Sequence, residues 1–396
     1  MLVENLLSMW WIALAAVLAP ILALATRRAV PDVVWLLAFG VVIGPHALGL
    51  AESTEAVEFL RELGIGFLFL LAGFEVSTSD MRGRQGRHAA LTWLICALLG
   101  VGAGLLLLHG QGQAAIVFGI ASTSTALGTL LPILKDSGAM GSPLGRAVMV
   151  HGAFGELLPI VAMSLLLSTR GTWQAALVLV FFALAAVATV ALPARIFRRI
   201  PMLGRAFGGA SNSTMQTTVR ITVWVLVTLM LLTAVLELDV ALGAFAAGLL
   251  IKAALTAASP IHAEEVMHKI EIVGFSLLIP VFFVTSGMSI DLGAVLARWP
   301  LLLGFVAVIA LVRGVPVVLR EVLTTTGSGI ESPRERVALG LYAATGLPII
   351  VAVTQIAASS GLISTTMASV MVTGGAVTVL LFPLLATRLL ARPAQG

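Results

Sequence analysis

The sequence has 396 residues, of which 59% are hydrophobic and only 11% are charged, and its mean hydropathy is +1.08. Soluble domains carry about a quarter charged residues, so this composition excludes a soluble globular protein and indicates an integral membrane protein. The net charge of +4 comes from basic residues in short loops between apolar runs, a topology signal that predicts no nucleic-acid partner. Cys96 is the only cysteine, which excludes an internal disulfide.

The first apolar run contains Glu4 and has no basic residues before it, so we expect a retained first span and not a cleaved signal peptide. With about 20 apolar residues per span, we count thirteen segments in an all-α membrane protein. With the N-terminus outside, 19 of the 23 basic residues fall at inside ends, and Arg61, Arg170 and Arg298 fall at outside ends. The positive-inside rule therefore predicts an N-out, C-in topology.

Thirteen spans divide into six, one and six, which gives two halves of opposite orientation and predicts an inverted repeat. Segments five and twelve each contain a run of small, hydroxylated, Gly and Pro residues, GIASTSTALGTLLP (119–132) and LYAATGLPIIVAVT (341–354). Discontinuous helices at equivalent places in two halves predict a binding site near the membrane midplane. The alternative is that these small residues only pack helices together. The proposed elements of the interruptions are Pro132, Thr345, Gly346 and Pro348.

Glu156 lies near the middle of segment six, where a carboxylate costs about 2.5–3.5 kcal/mol on insertion scales. A proton or a small hard cation with oxygen ligands can neutralise it, and their competition for one site couples their movements in opposite directions. Gly155 beside it leaves space for the carboxylate. The hydroxyl and carbonyl groups that we expect to complete a cation shell belong to Ser122, Thr123, Ser124 and Thr125.

Arg313 is the one basic residue that remains inside a span, in segment eleven. A structural ion pair between Glu156 and Arg313 is the alternative to an ion pathway. His151 projects about 140° away from Glu156 around an ideal helix, and it is either a hydrogen-bonded packing residue or a modulator of the pH response. We predict no cofactor and no metal other than the transported cation. Paired catalytic aspartates and Ser–His constellations are missing from the sequence, which disfavours an enzyme.

Three stretches closely resemble motifs of the cation:proton antiporter-2 family of monovalent cation/proton exchangers. They are LGIGFLFLLAGFEVS (63–77), ALGAFAAGLLI (241–251) and PVFFVTSGMSIDL (280–292). The resemblance covers essentially the whole chain, and it implies a homodimer with two crossed discontinuous helices in each protomer. It also implies an elevator-type movement of a core past a fixed scaffold. The implied domains are a scaffold of residues 1–77 and 217–290, a core of residues 88–168 and 299–390, and a linker helix and basic loop of residues 169–216.

The ion site of this family is a polar–acidic pair (Asp-Asp, Asn-Asp or Gln-Asp) in segment six, and the stretch FGEL puts Gly155 and Glu156 at that pair. The chain departs from the family at both positions, and Arg313 matches a basic residue that is lysine in electrogenic members. We therefore hypothesise electroneutral 1:1 exchange of Na⁺, K⁺ or Li⁺ for H⁺ across a prokaryotic plasma membrane, with Arg313 stabilising the core. The alternatives are a sodium-coupled symporter and an inactive or sensor relative on the same fold.

Overall fold

A computed structural model describes residues 2–26, 30–76, 81, 83–136, 138–166, 172–199, 215–258 and 260–391. These residues form helices that are joined by short turns. The expected basic linker loop lies largely outside the described residues, because residues 200–214 are not among them.

The helices of the first part of the chain are α1 Leu2–Ala25, α2 Asp32–Ile43, α3 Glu55–Glu75, α4 Arg84–Leu107, α5 Gly112–Ser122, α6 Leu127–Asp136, α7 Pro143–Leu166 and α8 Thr172–Arg199. Those of the second part are α9 Met215–Val235, α10 Val240–Ala258, α11 Pro260–Val273, α12 Ile279–Met288, α13 Leu292–Ala297, α14 Trp299–Ile309, α15 Val315–Leu323, α16 Pro333–Ala343, α17 Pro348–Ser359 and α18 Thr365–Ala391. Most of these helices are apolar, as the composition predicts.

Within the described ranges, nine helical stretches are long and apolar enough to cross a membrane. Three shorter apolar stretches accompany them, Asp32–Ile43, Ala176–Thr189 and Val240–Thr256. Many large hydrophobic side chains on these helices are exposed, which suits a hydrocarbon surrounding and not water. The chain is therefore an all-helical, multi-pass membrane protein.

One compact unit comprises Met1–Leu60, Ser77–Met163 and Pro280–Gly396. Inside it, α2 and α12 pack backbone against backbone, because a Cβ added at Gly40 would lie 2.9 Å from the Cα of Gly287. Close approach at small residues is the usual way in which helices associate in a membrane, where no hydrophobic effect drives them together. The same unit contains a buried apolar cluster that includes Leu130, Leu339 and Tyr342.

The second compact unit comprises Arg61–Val76 and Ser164–Ile279. Here α3 meets α10 at glycines, since a Cβ at Gly248 would lie 2.8 Å from the backbone nitrogen of Phe74. The ammonium of Lys252 on α10 donates to the carbonyls of Glu75 and Val76, at 3.3 and 2.9 Å. A cation at the last carbonyls of a helix satisfies groups that have no partner within that helix.

Two transmembrane paths contain a π-helical turn, Gly274–Leu278 between α11 and α12 and Ala310–Gly314 between α14 and α15. A proline follows each turn at the same offset, Pro280 and Pro316. Proline has no N–H for the carbonyl four residues earlier, and its ring clashes with that carbonyl, so a wider turn relieves the helix at this point. The second π turn contains Arg313.

Candidate functional site

Two helical paths are interrupted, and the interruptions contact each other. α5 ends at Ser122 and α6 begins at Leu127, whereas α16 ends at Ala343 and α17 begins at Pro348. The N–H of Ala126 donates to the carbonyl of Thr345 at 2.8 Å, and the hydroxyl of Thr125 donates to the carbonyl of Ala343 at 2.6 Å. The two interruptions thus satisfy each other's free backbone groups within the membrane.

The close approach of the interruptions depends on Gly346. A Cβ at this position would lie 2.8 Å from the carbonyl oxygen of Ser124 and 2.5 Å from its hydroxyl. The hydroxyl of Thr378 on α18 braces the same residue, because it accepts from the N–H of Gly346 at 3.3 Å and donates to its carbonyl at 3.1 Å. The sequence analysis missed Thr378. Its only signal was a hydroxylated residue four positions after Gly374 in an apolar span.

The hydroxyls of the first interruption have two different roles. Those of Ser122, Thr123 and Ser124 donate to the carbonyl three residues earlier, at 2.9–3.0 Å, and so satisfy the last carbonyls of α5. The Thr125 hydroxyl reaches the other interruption. All four residues are fully buried, at 0–1% exposure. Each hydroxyl that donates its hydrogen keeps lone pairs that can face a cation.

Glu156 is buried on α7, at 4% exposure. Its Oε1 accepts a hydrogen bond from the N–H of Leu127 at 2.7 Å, at the N-terminus of α6. Free N–H groups and the helix dipole favour a negative charge at this end of a helix. Its Oε2 is also buried, and within the described residues it accepts no hydrogen bond. One carboxylate oxygen is therefore anchored and the other is available to a ligand.

Arg313 is completely buried, at 0% exposure, and its guanidinium joins three elements. Nη2 donates to the carbonyl of His151 at 2.9 Å and to the hydroxyl of Thr125 at 3.1 Å, and Nε donates to the carbonyl of Ala343 at 3.3 Å. The carbonyl of Ala343 closes α16, so the positive charge lies at the negative end of that helix. Among the described side chains, no salt bridge joins Arg313 to Glu156. The alternative of a structural ion pair between them thus has no contact to support it.

The remaining predicted residues occupy different places. His151 is buried on α7 and meets Arg313 through its carbonyl, and no described residue bonds to its Nδ1. Thr345 lies in the second interruption, and Pro348 is the first residue of α17. Pro132 belongs to α6 and not to the interruption that precedes it. Gly155 contributes its carbonyl, which accepts from the N–H of Thr125 at 3.0 Å.

A second buried carboxylate, Glu321 near the end of α15, was not among the predicted residues. It is 6% exposed, and its Oε2 accepts hydrogen bonds from the hydroxyls of Thr326 and Ser328, at 2.8 and 2.7 Å. These bonds hold the turn between α15 and α16 in place. From the sequence, an acid at the end of an apolar span beside a Thr- and Gly-rich stretch is typical of an exposed loop, so its burial could not be foreseen.

A sequence profile for the family described as "Sodium/hydrogen exchanger, transmembrane" matches residues 13–392 of the chain. The chain belongs to this family. The match includes both interruptions, Glu156 and Arg313, and it confirms the predicted relationship to monovalent cation/proton exchangers. Since members of this family are secondary transporters, the prediction that the chain is not an enzyme is confirmed as well.

Two relatives of known name are similar to the chain over most of its length. The chain is 27% identical over 311 residues to the Na⁺/H⁺ antiporter NhaS5 of Synechocystis sp.. This alignment covers 74% of the chain and 42% of NhaS5. The chain is 30% identical over 332 residues to the chloroplastic K⁺ efflux antiporter 2 of Arabidopsis thaliana. This alignment covers 80% of the chain and 27% of that antiporter. The chain thus spans less than half the length of both relatives.

The fold of the chain is that of a solved exchanger structure. The sodium proton antiporter MjNhaP1 of Methanocaldococcus jannaschii at pH 8 superimposes with a TM-score of 0.70 and 22% sequence identity. The superposition covers 98% of this chain and 100% of the MjNhaP1 chain. At this level of identity the similarity establishes a common fold.

Proposed function

We propose that this protein is a secondary antiporter that exchanges a monovalent cation, Na⁺ or K⁺, for a proton across a membrane. Glu156 is the group that the cation and the proton occupy in turn. Family membership supports the reaction class, and the names of relatives that exchange Na⁺ or export K⁺ support the choice of cargo. The proposed location is a prokaryotic plasma membrane.

The observation that carries the proposal is the state of the Glu156 carboxylate. One oxygen is held by the N–H of Leu127, and the other is buried without a hydrogen bond from any described residue. A buried carboxylate that lacks compensation is unfavourable by several kcal/mol. A proton or a small cation removes this penalty, and one group cannot hold both. Cation entry therefore expels the proton, and proton entry expels the cation.

The interruptions supply the other ligands in this proposal. Hydroxyl and carbonyl oxygens are the ligands that hard cations prefer, and broken helices present both inside a membrane. We assign this task to the segment 122–125, with the carbonyl of Gly155 beside it. Arg313 takes no part in the exchange of protons, since a guanidinium does not release its proton in proteins. It stabilises the core by neutralising the carbonyl end of α16.

The architecture that we propose follows the expected repeat. The nine long apolar stretches, the three shorter ones and α3 supply thirteen spans in an inverted 6+1+6 arrangement, with the N-terminus outside and the C-terminus inside. The interrupted pairs α5/α6 and α16/α17 are the crossed discontinuous helices. The core of residues 88–168 and 299–390 moves in an elevator-type manner in a homodimer whose scaffold is formed by residues 1–77 and 217–290. Residues 169–216 connect the halves.

The test is proton flux in sealed vesicles that contain the purified protein, measured with an internal pH-sensitive dye after Na⁺, K⁺ or Li⁺ is added. We expect Glu156→Gln to abolish the cation-dependent flux, because a neutral amide can exchange neither ion. Glu156→Asp keeps the charge but shortens the side chain by one methylene group, which draws it away from the N–H of Leu127. We expect this variant to retain part of the flux.

Glu271→Gln is the matched control, because Glu271 is a partly exposed glutamate on α11 that lies 3.6 Å from Nδ1 of His268. Its flux should equal that of the wild type. Unchanged flux in Glu156→Gln would refute the assignment of the carrier group. Sodium-driven uptake of an organic solute without proton flux would favour the symporter, and a wild type without any flux would favour an inactive relative.

A further inference from the structure

The backbone of α7 is approached closely by side chains at Gly155. A Cβ built on this glycine would lie 2.6 Å from the Cβ of Thr125, still closer to its hydroxyl, and 2.8 Å from Nη2 of Arg313. Real Cβ atoms do not come so close to other heavy atoms, so both neighbours would have to move. Thr125 and Arg313 together occupy the volume of a side chain at position 155.

Neither neighbour is free to move. The hydroxyl of Thr125 donates to the carbonyl of Ala343 at 2.6 Å and also accepts from Arg313. The guanidinium is held in addition by the carbonyls of His151 and Ala343. Both groups are buried at 0–1% exposure in a well-packed region, so a displaced side chain would leave buried polar groups without partners.

The contact at Gly155 is adjacent to the anchor of Glu156. The N–H of Thr125 donates to the carbonyl of Gly155 at 3.0 Å, and two residues further on the N–H of Leu127 donates to Oε1 of Glu156 at 2.7 Å. The same short stretch of the interruption thus bonds to two consecutive residues of α7. A shift of Thr125 away from α7 carries the N–H of Leu127 away from the carboxylate.

We propose that Gly155 is a positioning residue of the site: its missing side chain provides the space that Thr125 and the Arg313 guanidinium fill, and this packing keeps the N–H of Leu127 at the Glu156 carboxylate. A permanently charged group occupies the volume that a polar partner of Glu156 would need. Glu156 is then the one titratable side chain of the residue pair 155–156. A larger residue at 155 requires a shorter one at 313. This inference rests on the proposed exchange at Glu156.

Gly155→Ala is the direct test, and Gly304→Ala on α14 is its matched control, because a Cβ at Gly304 meets no atom within 4 Å. We expect Gly155→Ala to lower the initial exchange rate by about a hundredfold, as for an ångström-scale misplacement of a reacting group. The carboxylate that has lost its N–H partner favours the proton over the cation. Half-maximal exchange should therefore require a higher pH and a higher cation concentration. Gly304→Ala should stay within about twofold of the wild type in all three measurements.

Rescue by a second substitution separates positioning from a general packing defect. Arg313→Lys removes Nη2, which lies 2.8 Å from a new Cβ at position 155, and it releases Thr125 from its hydrogen bond to the guanidinium, so that Thr125 can shift together with its backbone. We expect Arg313→Lys alone to reduce the rate. In the double variant the factor by which the exchange rate falls should be smaller than the product of the factors for the two single variants, since both substitutions affect one shared volume. Strictly multiplicative losses would contradict the proposal.

Three further outcomes decide the matter. A Gly155→Ala protein with wild-type rate, pH profile and cation dependence overturns the inference. If Gly155→Ala is not recovered as folded protein, by size-exclusion chromatography and thermal unfolding, the comparison of Arg313→Lys with the double variant replaces it. The double variant should then fold, and its failure to fold counts against the shared volume. Glu156→Gln, measured in parallel, distinguishes a failure of the proposed exchange at Glu156 from a failure of the proposed role of Gly155. Cation-dependent proton flux in Glu156→Gln refutes the proposed function, whatever the result for Gly155→Ala.

Discussion

The two buried charges of the candidate site are each compensated by neutral groups of the backbone. Glu156 binds an N–H at the start of α6, and Arg313 binds the carbonyls of His151 and Ala343. An ion pair between them would have to repay the desolvation of both charges, and it would also occupy the carboxylate permanently. Compensation by helix ends stabilises both charges and leaves one oxygen of Glu156 available.

Asp239 is a third acid with an unusual environment, in the turn before α10 and outside the membrane spans. Burial raises the pKa of its carboxyl from the ordinary 3.8 to about 6, and the negative charge of Glu62 acts in the same direction. The N–H of Ala241, which donates to Oδ1 at 2.8 Å, opposes this rise in pKa. The folded protein therefore holds a proton on Asp239 in a range of pH where an unfolded chain has released it.

The pH dependence of stability follows from that difference. Between about pH 4 and pH 6 the folded state binds more protons at Asp239 than the unfolded state, so the free energy of unfolding falls as the pH rises through this interval. The slope from one group is at most about 1.4 kcal/mol per pH unit. Asp239→Asn removes the titration and keeps a residue that can cap the helix. We expect the unfolding midpoint of the wild type to fall relative to that of Asp239→Asn between pH 4 and pH 6, and a constant difference would contradict the assignment.

The sequence located the buried charges by elimination, since Glu156 and Arg313 remained inside spans after the loop charges had been assigned. The sequence could not predict the groups to which these two side chains form hydrogen bonds. The bond from Leu127 to Glu156 joins residues 29 positions apart, and it exists only because α6 starts where it does. The positioning role that we propose for Gly155 was equally hidden, because a glycine in a membrane helix is typical of packing until the atoms around it are known.

Among the helices, the π turns have a recurrent cause and one clear consequence. Pro280 and Pro316 each follow a π turn at the same offset, and each lacks the N–H that an α-helix would need there. The second turn carries Arg313. The extra residue in a π turn rotates the side chains around it relative to an α-helix, and this orientation brings the guanidinium to Thr125 and to the carbonyl of His151.

Pro316→Ala tests the π turn as a positioning element. Alanine restores an N–H and removes the ring, so the ordinary α-helical register can compete with the π turn. We expect Arg313 to turn away from its partners and the exchange rate in vesicles to fall by about tenfold or more. Pro383→Ala is the matched control, because Pro383 lies inside α18 without a π turn. Equal rates in both variants would mean that the turn does not orient Arg313.

Sequence patterns were informative about interruptions and less so about turns. The runs 119–132 and 341–354 contain the ends of α5 and α16 and the starts of α6 and α17, because small hydroxylated residues supply the hydrogen bonds that a broken helix needs. The prolines at 280 and 316 indicated only that the helix is disturbed. Whether a kink, a break or a π turn relieves the clash depends on the neighbouring helices, which a single sequence does not reveal.

For the whole molecule, hydropathy was the most informative property. Apolar runs of about 20 residues became helices, because a backbone in hydrocarbon must satisfy its own hydrogen bonds. Lengths were harder to predict. α2 has 12 residues and spans about 18 Å, well short of the hydrocarbon thickness of about 30 Å. One of the non-helical residues after it, Glu52, donates its N–H to the hydroxyl of Ser8 on α1 at 3.0 Å.

The stoichiometry is a property of the whole transport cycle. We propose that one proton replaces one monovalent cation and that no net charge crosses the membrane, because the candidate site has one titratable carboxylate, Glu156, and a guanidinium that stays charged. An electroneutral exchange does not respond to voltage, whereas one net charge per cycle would gain about 2.3 kcal/mol per 100 mV. We expect equal initial rates of exchange in vesicles whose potential is clamped at zero and at about 100 mV of either sign. Exchange driven by voltage alone would refute the 1:1 stoichiometry.

The anchored oxygen of Glu156 has a consequence for how tightly the cargo is held. Because the N–H of Leu127 holds one oxygen, the carboxylate presents only its other oxygen to the proposed cation or proton. In the proposed cycle, a departing ion leaves behind a charge that the helix end compensates only in part, so the competing ion takes its place. In the proposed mechanism, that one hydrogen bond makes ion binding weak and ion release fast, and the dimensions of the surrounding ligand shell discriminate between ions of equal charge.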